Sequence, residues 1–225
     1  MSKIILFSGV AGCGKDEAIK HLRSLGYPLV RREAKGKLHT LVQEFFCVSP
    51  ERYWEIYNDR ELKEKPLPEF TLILNDYEIK VLERNFGDVH IEFFQEHIPH
   101  LAVCWLSIRQ AMIYISEIII KPRFGSDYFG VARAKAIQED EIAVDSSTGF
   151  VEELPPLIER LGQENILLIR VHREGATFEG DSRNYIPDGV ITNTVDVNSV
   201  YGFLPEYLEE VKLIVEKFLD DTDKK

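Results

Sequence analysis

Residues 7–16 read F-S-G-V-A-G-C-G-K-D and place Gly9, Gly14 and Lys15 in the spacing G-x-x-x-x-G-K. That spacing suits the holding of a polyphosphate. Glycine lacks the Cβ that forbids many backbone conformations, so successive N–H groups can turn onto one anion. A helix beginning at the end of the loop adds unpaired N–H groups and the positive end of its dipole. Lys15 can reach the β- and γ-phosphates as a mobile point charge. Asp16 stands where a hydroxyl residue usually follows the lysine and touches Mg²⁺. A carboxylate serves a hard cation directly or through water. It also serves as a cap at a helix N-terminus, and both readings stay open.

Three further groups could do chemistry with a phosphate. The run Arg31-Arg32-Glu33-Ala34-Lys35-Gly36-Lys37 concentrates cations in an otherwise acidic chain, as an acceptor-anion site or as a solvated loop. Arg109 falls in the first turn of a predicted helix, opposes its dipole and calls for an anionic partner, either substrate phosphate or a buried acid. The polar segment His172 to Arg183 carries Arg173 and Arg183 just after Arg170. Phosphoryl transfer needs cations around the moving group, and a mobile loop of arginines that excludes water supplies them. Asp145, at the end of an apolar run, is a candidate to hold Mg²⁺ through water or to orient a nucleophile, with a turn cap as the plain alternative.

Elements that position these residues are legible from periodicity. Apolar runs at 4–7, 27–31, 141–145, 165–171 and 190–194 read as strands, and they alternate with helical patterns. The first helix carries Ala18, Ile19, Leu22 and Leu25, and the last runs from Pro205 through Phe218 to a frayed tail from Asp220. Alternation of this kind predicts an α/β fold with a parallel sheet and helices on both faces. Ser107 with Gln110 is a capping-box pattern opening a helix that is apolar all round. Asp127 caps a further helix through Val131, Ala134 and Ile137. From Ser49 to Pro68 the chain is polar and aromatic, and Tyr53, Trp54 and Tyr57 are either packing residues or rings available to a base. Between residues 70 and 100 only a helix near Asp76 to Arg84 and apolar packing around Ile91 to Phe94 are predicted.

Composition narrows the class of function. The chain has 225 residues, a net charge of −11 and an apolar fraction of 44%, which fits a globular protein and disfavours a general binder of nucleic acid or anionic membrane. Cys13, Cys47 and Cys104 lie far apart and suggest neither a disulfide framework nor a zinc site, so a reducing, cytoplasmic setting is expected. Cys13 is an oxidation-sensitive thiol or, more simply, a small filler. No apolar run is long enough to cross a bilayer. A GTPase switch would want N-K-x-D, and Asn193-Thr194-Val195-Asp196 lacks the lysine. It would also want D-x-x-G, which Asp145 to Gly149 overruns by one residue. A small-molecule kinase suits the length, the separate cationic clusters and the acidic remainder.

The loop Ser8 to Asp16, with aspartate after the lysine, resembles that of the bacteriophage-type deoxynucleoside monophosphate kinases. Animal-type phosphomevalonate kinase shares the G-K-D tripeptide. The segments Asp145 to Glu153, His172 to Phe178 and Asp181 to Ile186 also resemble the phage group, as do Arg109-Gln110 and Phe124 to Asp127. Some members carry an arginine just after the strand-end aspartate, where this chain has Ser146-Ser147-Thr148. The resemblance runs from Lys3 to about Ile191, apart from residues 50–100.

It implies an adenylate-kinase-like five-stranded parallel sheet, with an acceptor-binding lobe at about 49–100 and a lid at about 173–188. It implies ATP with Mg²⁺ as donor, a deoxynucleoside 5′-monophosphate as acceptor, and no polymer or membrane partner; whether the chain pairs as a homodimer stays open. A phage-encoded member would work in the host cytoplasm. Residues Gly9, Ala11, Gly12, Cys13, Gly14, Lys15, Asp16 and Glu17 would bind ATP. Arg31, Arg32, Lys35, Trp105, Arg109 and Asp145 would bind the acceptor, Asp16 and Asp145 would serve the metal, and Lys15, Arg109, Arg173 and Arg183 would be catalytic. The alternatives are a phosphomevalonate-type or other metabolite kinase, and a nucleotide-binding switch without an acceptor.

Overall fold

Ile4, Ile5, Leu6 and Phe7 have no exposed surface, because the strand they form is covered on both faces. The structure is a computed structural model and describes residues 1–86, 90–93, 101–179, 183–200 and 203–222. The chain divides into two units, Met1–Lys37 with Ser126–Lys225, and Leu38–Gly125. In chain order, β1 (Lys3–Ser8), α1 (Lys15–Ser24), β2 (Leu29–Arg31) and α2 (Ala34–Phe46) come first. Next are α3 (Pro50–Asn58), β3 (Leu67–Asn75), α4 (Asp76–Phe86), β4 (His90–Phe93), β5 (Leu101–Leu106), α5 (Ile108–Ile113) and, after a π-helical stretch, α6 (Lys121–Phe124). The chain closes with α7 (Tyr128–Ala136), β6 (Ile142–Thr148), α8 (Pro155–Leu161), β7 (Ile166–His172), β8 (Asn193–Asn198) and α9 (Leu204–Thr222).

The first unit is built on a five-stranded sheet in the order β2-β6-β1-β7-β8, every pair parallel. Alternation along β1 sends Ile5 and Phe7 into a core with Ala18, Ile19 and Leu22 of α1 and Tyr207, Val211 and Val215 of α9. Ile4 and Leu6 enter the opposite core with Ala134, Ile137, Leu154 and Leu157. This is the predicted α/β fold, with a G-x-x-x-x-G-K loop leaving the central strand. The chain leaves β1 toward β2 on one side, and leaves β6 toward β7 on the other. The sheet therefore has its switch point between β1 and β6, the position at which open α/β sheets place ligands at the carboxyl ends of their strands.

Two strand positions differ from the sequence reading. The last strand is not 190–194 but β8 at Asn193–Asn198, because Ile191 is buried in the core before pairing begins at Leu167–Asn193. The second strand is confined to Leu29–Arg31.

The second unit contains an antiparallel sheet, β3-β5-β4, that the sequence reading did not anticipate. Phe70, Leu72 and Leu74 of β3 point inward, at the spacing of two that a half-buried strand requires. α3 is capped by Ser49, whose Oγ accepts from the Arg52 amide, and carries Pro50 in its first turn. The Ser107–Gln110 capping box is present at the start of α5. The helix that follows is not buried all round: Arg109 and Glu117 face solvent. Tyr53 is a core residue, fully buried, with its hydroxyl 2.7 Å from His39 Nδ1. Of the three aromatics considered for stacking, Trp54 is exposed and Tyr57 half-buried, the latter with Lys63 Nζ 3.8 Å from its ring centre. Gly180, Asp181 and Ser182 of the expected lid, part of the 70–100 stretch including Phe94, and residues 223–225 of the tail lie outside the described residues. Among the described residues, no helix is long and apolar enough to cross a membrane.

Candidate active site

The loop from Gly9 to Gly14 leaves the carboxyl end of β1 and delivers the chain into α1 at the switch point. Two of its glycines are required by the geometry. A Cβ on Gly9 would lie 2.5 Å from the Val171 carbonyl oxygen and 2.9 Å from Cys13 Sγ, so the loop could not pass β7 at this distance. Gly14 has φ +102°, a left-handed conformation that a side chain disfavours, and a Cβ there would press on Tyr207 at 3.1 Å. Tyr207 of α9 is buried and donates its hydroxyl to the Gly14 carbonyl at 3.3 Å, so the far end of the chain braces the loop. Cys13 is fully buried within the loop, as a filler residue would be. The first amides of α1 have no intrahelical acceptors and are available to an anion.

Lys15 lies inside this cradle. Its Nζ donates to the carbonyls of Gly9 at 2.7 Å and Val10 at 2.6 Å, and to Cys13 Sγ at 3.4 Å. Burial holds the pKa of its ammonium below the ordinary value, against the opposing influence of Cys13, and the charge of Arg183 lowers it further. Arg173 donates from Nη1 to the Gly12 carbonyl, so it touches the loop itself. Arg183 packs on Gly149, whose added Cβ would lie 2.6 Å from the arginine's own Cβ. The segment that carries both arginines is anchored at its base by Arg170 and His172. Arg170 forms a forked pair with Asp196 at 2.9 and 2.6 Å and also meets Asp188 at 2.7 Å; His172 Nε2 is 2.5 Å from Asp196 Oδ1. The hydrogen bond from Arg170 holds the Asp196 carboxyl below its ordinary pKa, against burial and with help from His172. Arg170 is thus an anchor, and Asp196 of the imperfect base-reading motif is occupied by Arg170 and His172.

At the neighbouring strand ends, Asp16 joins residues of the cationic turn. Arg31 donates to Asp16 Oδ1 at 2.7 Å and to Glu33 Oε1 at 3.1 Å. Ser146 Oγ lies 3.0 Å from Asp16 Oδ1 and 2.9 Å from Glu33 Oε1, and Lys35 Nζ is 3.5 Å from Glu33. Burial pushes the Asp16 carboxyl up, but hydrogen bonds from Arg31 and Ser146 and the charges of Arg31 and Lys35 outweigh it, so the net pKa is lowered. Ser146 and Glu33 were not singled out from sequence; both flank residues that were.

The remaining expected site residues are placed differently. Arg32 turns away into a forked pair with Glu141 at 2.7 and 2.6 Å. Glu17 is exposed and pairs with Lys20. Ala11 is exposed on the loop. Asp145 is fully buried: Oδ2 accepts from Arg133 Nη1 and the Ala34 amide, and Oδ1 from the Ser147 amide and hydroxyl, each at 2.6 Å. With both oxygens occupied by protein donors and no exposed surface, it differs from the expected metal or acceptor ligand. Trp105 and Arg109 belong to the second unit, where Arg109 pairs with the exposed Glu64 at 2.9 Å.

Arg133 was missed altogether. Its spacing with Phe129, Gly130, Ala134 and Ile137 puts it on the buried face of α7, and that register was the available signal. Among the described residues no three His, Cys, Asp or Glu side chains gather as a ready metal cluster.

This arrangement gives a backbone cradle with a buried ammonium, two arginines from one segment beside it, and a carboxylate–hydroxyl group next to a cationic turn. Groups of these kinds are suited to a polyphosphate and to charge that spreads over a phosphoryl group. No protein-family model matches the chain, and no curated protein sequence matches it. In structure the chain is similar to a gluconokinase from Sinorhizobium meliloti 1021, over 98% of this chain and 95% of that one, with a TM-score of 0.43 and 12% sequence identity.

Proposed function

We propose that this chain is an ATP-dependent small-molecule kinase, and that its acceptor is a deoxynucleoside 5′-monophosphate. The observation that carries the kinase reading is the meeting of Lys15 and Arg173 on one glycine-braced loop, with the cationic turn Arg31–Lys35 beside it at Asp16. The loop takes the donor phosphates and Lys15 exchanges its carbonyl contacts for the β- and γ-oxygens. Arg173 and Arg183 supply positive charge where it spreads over the equatorial oxygens in the transition state. Arg31 and Lys35 receive the acceptor phosphate, whose oxygen attacks the γ-phosphorus in line, so no protein nucleophile is needed. The acceptor class rests on the resemblance of the loop and lid segments. Residues 49–100 are read as the acceptor-binding lobe, within which Trp54 is an exposed ring available to a base.

The oxygen donors near the loop fit a hard divalent ion such as Mg²⁺: Asp16 and Glu33 carboxylates converge on one Ser146 hydroxyl. In this reading Asp16, Glu33 and Ser146 would hold the ion and Asp145 would not. When bound, Mg²⁺ would neutralise charge on the donor phosphates.

The experiment is ADP production from ATP and Mg²⁺ against a panel of the four deoxynucleoside monophosphates, their ribo forms, phosphomevalonate and no acceptor. ADP formed only with one or more deoxynucleotides, alongside the matching diphosphate, supports the assignment. Turnover with phosphomevalonate alone would move the chain to the other G-K-D family, and acceptor-independent slow hydrolysis would make it a switch.

A further inference from the structure

Arg133 and Asp145 form an ion pair with no exposed side-chain surface on either partner. The arginine also reaches Thr148 Oγ1 at 3.4 Å and donates from Nη2 to the Glu153 carbonyl at 3.2 Å. Its Nε–H has no acceptor among the described residues. α7 is set close to that same carbonyl, since a Cβ on Gly130 would lie 2.3 Å from Glu153 O. Burying two charges is costly, and a well-packed apolar pair of similar volume often serves stability as well or better. Stability alone is therefore a weak account of this pair.

What an apolar pair could not supply is the set of acceptors on Asp145. The carboxylate takes the amide of Ala34, the first residue of α2, at 3.3 Å, and the amide and hydroxyl of Ser147. Ala34 lies inside the turn that runs from Arg31 to Lys35, and Ser147 follows Ser146, which holds Asp16 and Glu33. One buried carboxylate thus ties the cationic turn and the end of β6 to a single point, and Arg133 fixes that carboxylate from below. A negative charge at the first amide of a helix is also favourable in itself.

We infer that Arg133 is a positioning residue that acts through Asp145 to set the turn Arg31–Lys35 for an incoming phosphate. The inference rests on the proposed reading of that turn as the acceptor-phosphate site. It does not make Arg133 a ligand: its side chain is enclosed, and its effect passes through the Ala34 and Ser147 hydrogen bonds.

The test separates positioning from packing with three variants, Arg133→Met, Arg133→Lys, and the apolar double variant Arg133→Met with Asp145→Leu. Urea unfolding reports stability, steady-state kinetics report the acceptor KM and the ATP KM separately, and hydrogen exchange reports opening of the Ala34 amide. Arg133→Met is expected to lose stability, to raise the acceptor KM at least tenfold with the ATP KM within about twofold, and to speed exchange at Ala34. Arg133→Lys keeps the charge and recovers part of the acceptor KM. The double variant regains most of the stability but keeps the raised acceptor KM and the fast exchange, because the Ala34 amide has lost its acceptor.

Recovery of the acceptor KM together with stability in the double variant would overturn the inference and leave the pair as packing. If the double variant does not fold, exchange at Ala34 in Arg133→Lys and Arg133→Met decides: rates equal to those of the unchanged protein would overturn it. Should the unchanged protein show no acceptor-dependent turnover, the kinase reading fails on its own, and the exchange measurement still reports whether Arg133 holds the turn.

Discussion

Replacing Gly9 by alanine puts a methyl group 2.5 Å from the Val171 carbonyl oxygen and 2.9 Å from Cys13 Sγ. The first is backbone of β7, already fixed by pairing with β8 and by the hydrogen bond it accepts from Tyr185 at 3.0 Å, so it cannot turn aside as a side chain would. The loop must lift away from β7 instead. Overpacking of this kind costs about 1–3 kcal/mol. In a protein of this size each kcal/mol moves the melting temperature by about 2–4 °C, so a loss of roughly 2–12 °C is expected. Gly12 is the internal control: it has φ +76° and nothing within 4 Å of an added Cβ. Alanine there meets only the left-handed penalty of about 1–2 kcal/mol, partly offset by the roughly 0.4–1 kcal/mol gained from a stiffer unfolded chain. Thermal unfolding and ATP titration of both variants test the geometry. Gly9→Ala should melt several degrees below Gly12→Ala and bind ATP more weakly, since its displacement moves the whole cradle. Equal melting temperatures and equal affinities would refute the close approach of loop and strand.

Arg173→Ala should lower kcat at least a hundredfold while weakening ATP binding less than tenfold, because the proposed mechanism uses its charge mainly in the transition state; equal losses would make it a ground-state contact. Asp196 has a folded pKa below its ordinary value of 3.8, so its contribution to stability is present in full above that value and lost as pH falls through the folded pKa. Asp196→Asn should flatten the acid limb of a stability–pH curve and cost at most about 1 kcal/mol at neutral pH, since solvent screens so exposed a group; an unchanged acid limb contradicts the anchor. Tyr207→Phe removes only the hydrogen bond to Gly14 and should lower stability by about 0.5–1.5 kcal/mol in urea unfolding, whereas a neutral result would mean the hydroxyl does not brace the loop.

What could be read from sequence was local. The β1–loop–α1 unit is contiguous, its glycines and lysine lie at fixed spacing, and its strand is apolar throughout, so residue order alone carried the geometry. β6 and β7 were legible for the same reason, being buried on both faces. The antiparallel sheet of the second unit was not. In β3 the inward set Phe70, Leu72 and Leu74 alternates as it should, but Ile73 on the solvent side blurs the pattern. β8 was misplaced because its residues are largely polar and it lies at the sheet edge. The partnerships of charged residues depend on the fold rather than on neighbours in sequence. Arg31 and Arg32 are adjacent, yet one turns to Asp16 and the other to Glu141. Asp145 looked like a strand-end acid open to a metal, and only the register of α7 brings Arg133 under it.

The central claim is that Lys15 in the glycine-braced loop supports transfer of a phosphoryl group from ATP to a deoxynucleoside monophosphate. The most direct measurement follows ATP, ADP and the acceptor diphosphate by phosphorus NMR for the unchanged protein and for Lys15→Ala, with circular dichroism confirming that both are folded. The account predicts that the unchanged protein forms ADP and deoxynucleoside diphosphate in equal amounts, and that the folded Lys15→Ala variant forms neither at a measurable rate. Undiminished transfer by that variant, or no diphosphate from the unchanged protein with any acceptor, would contradict it.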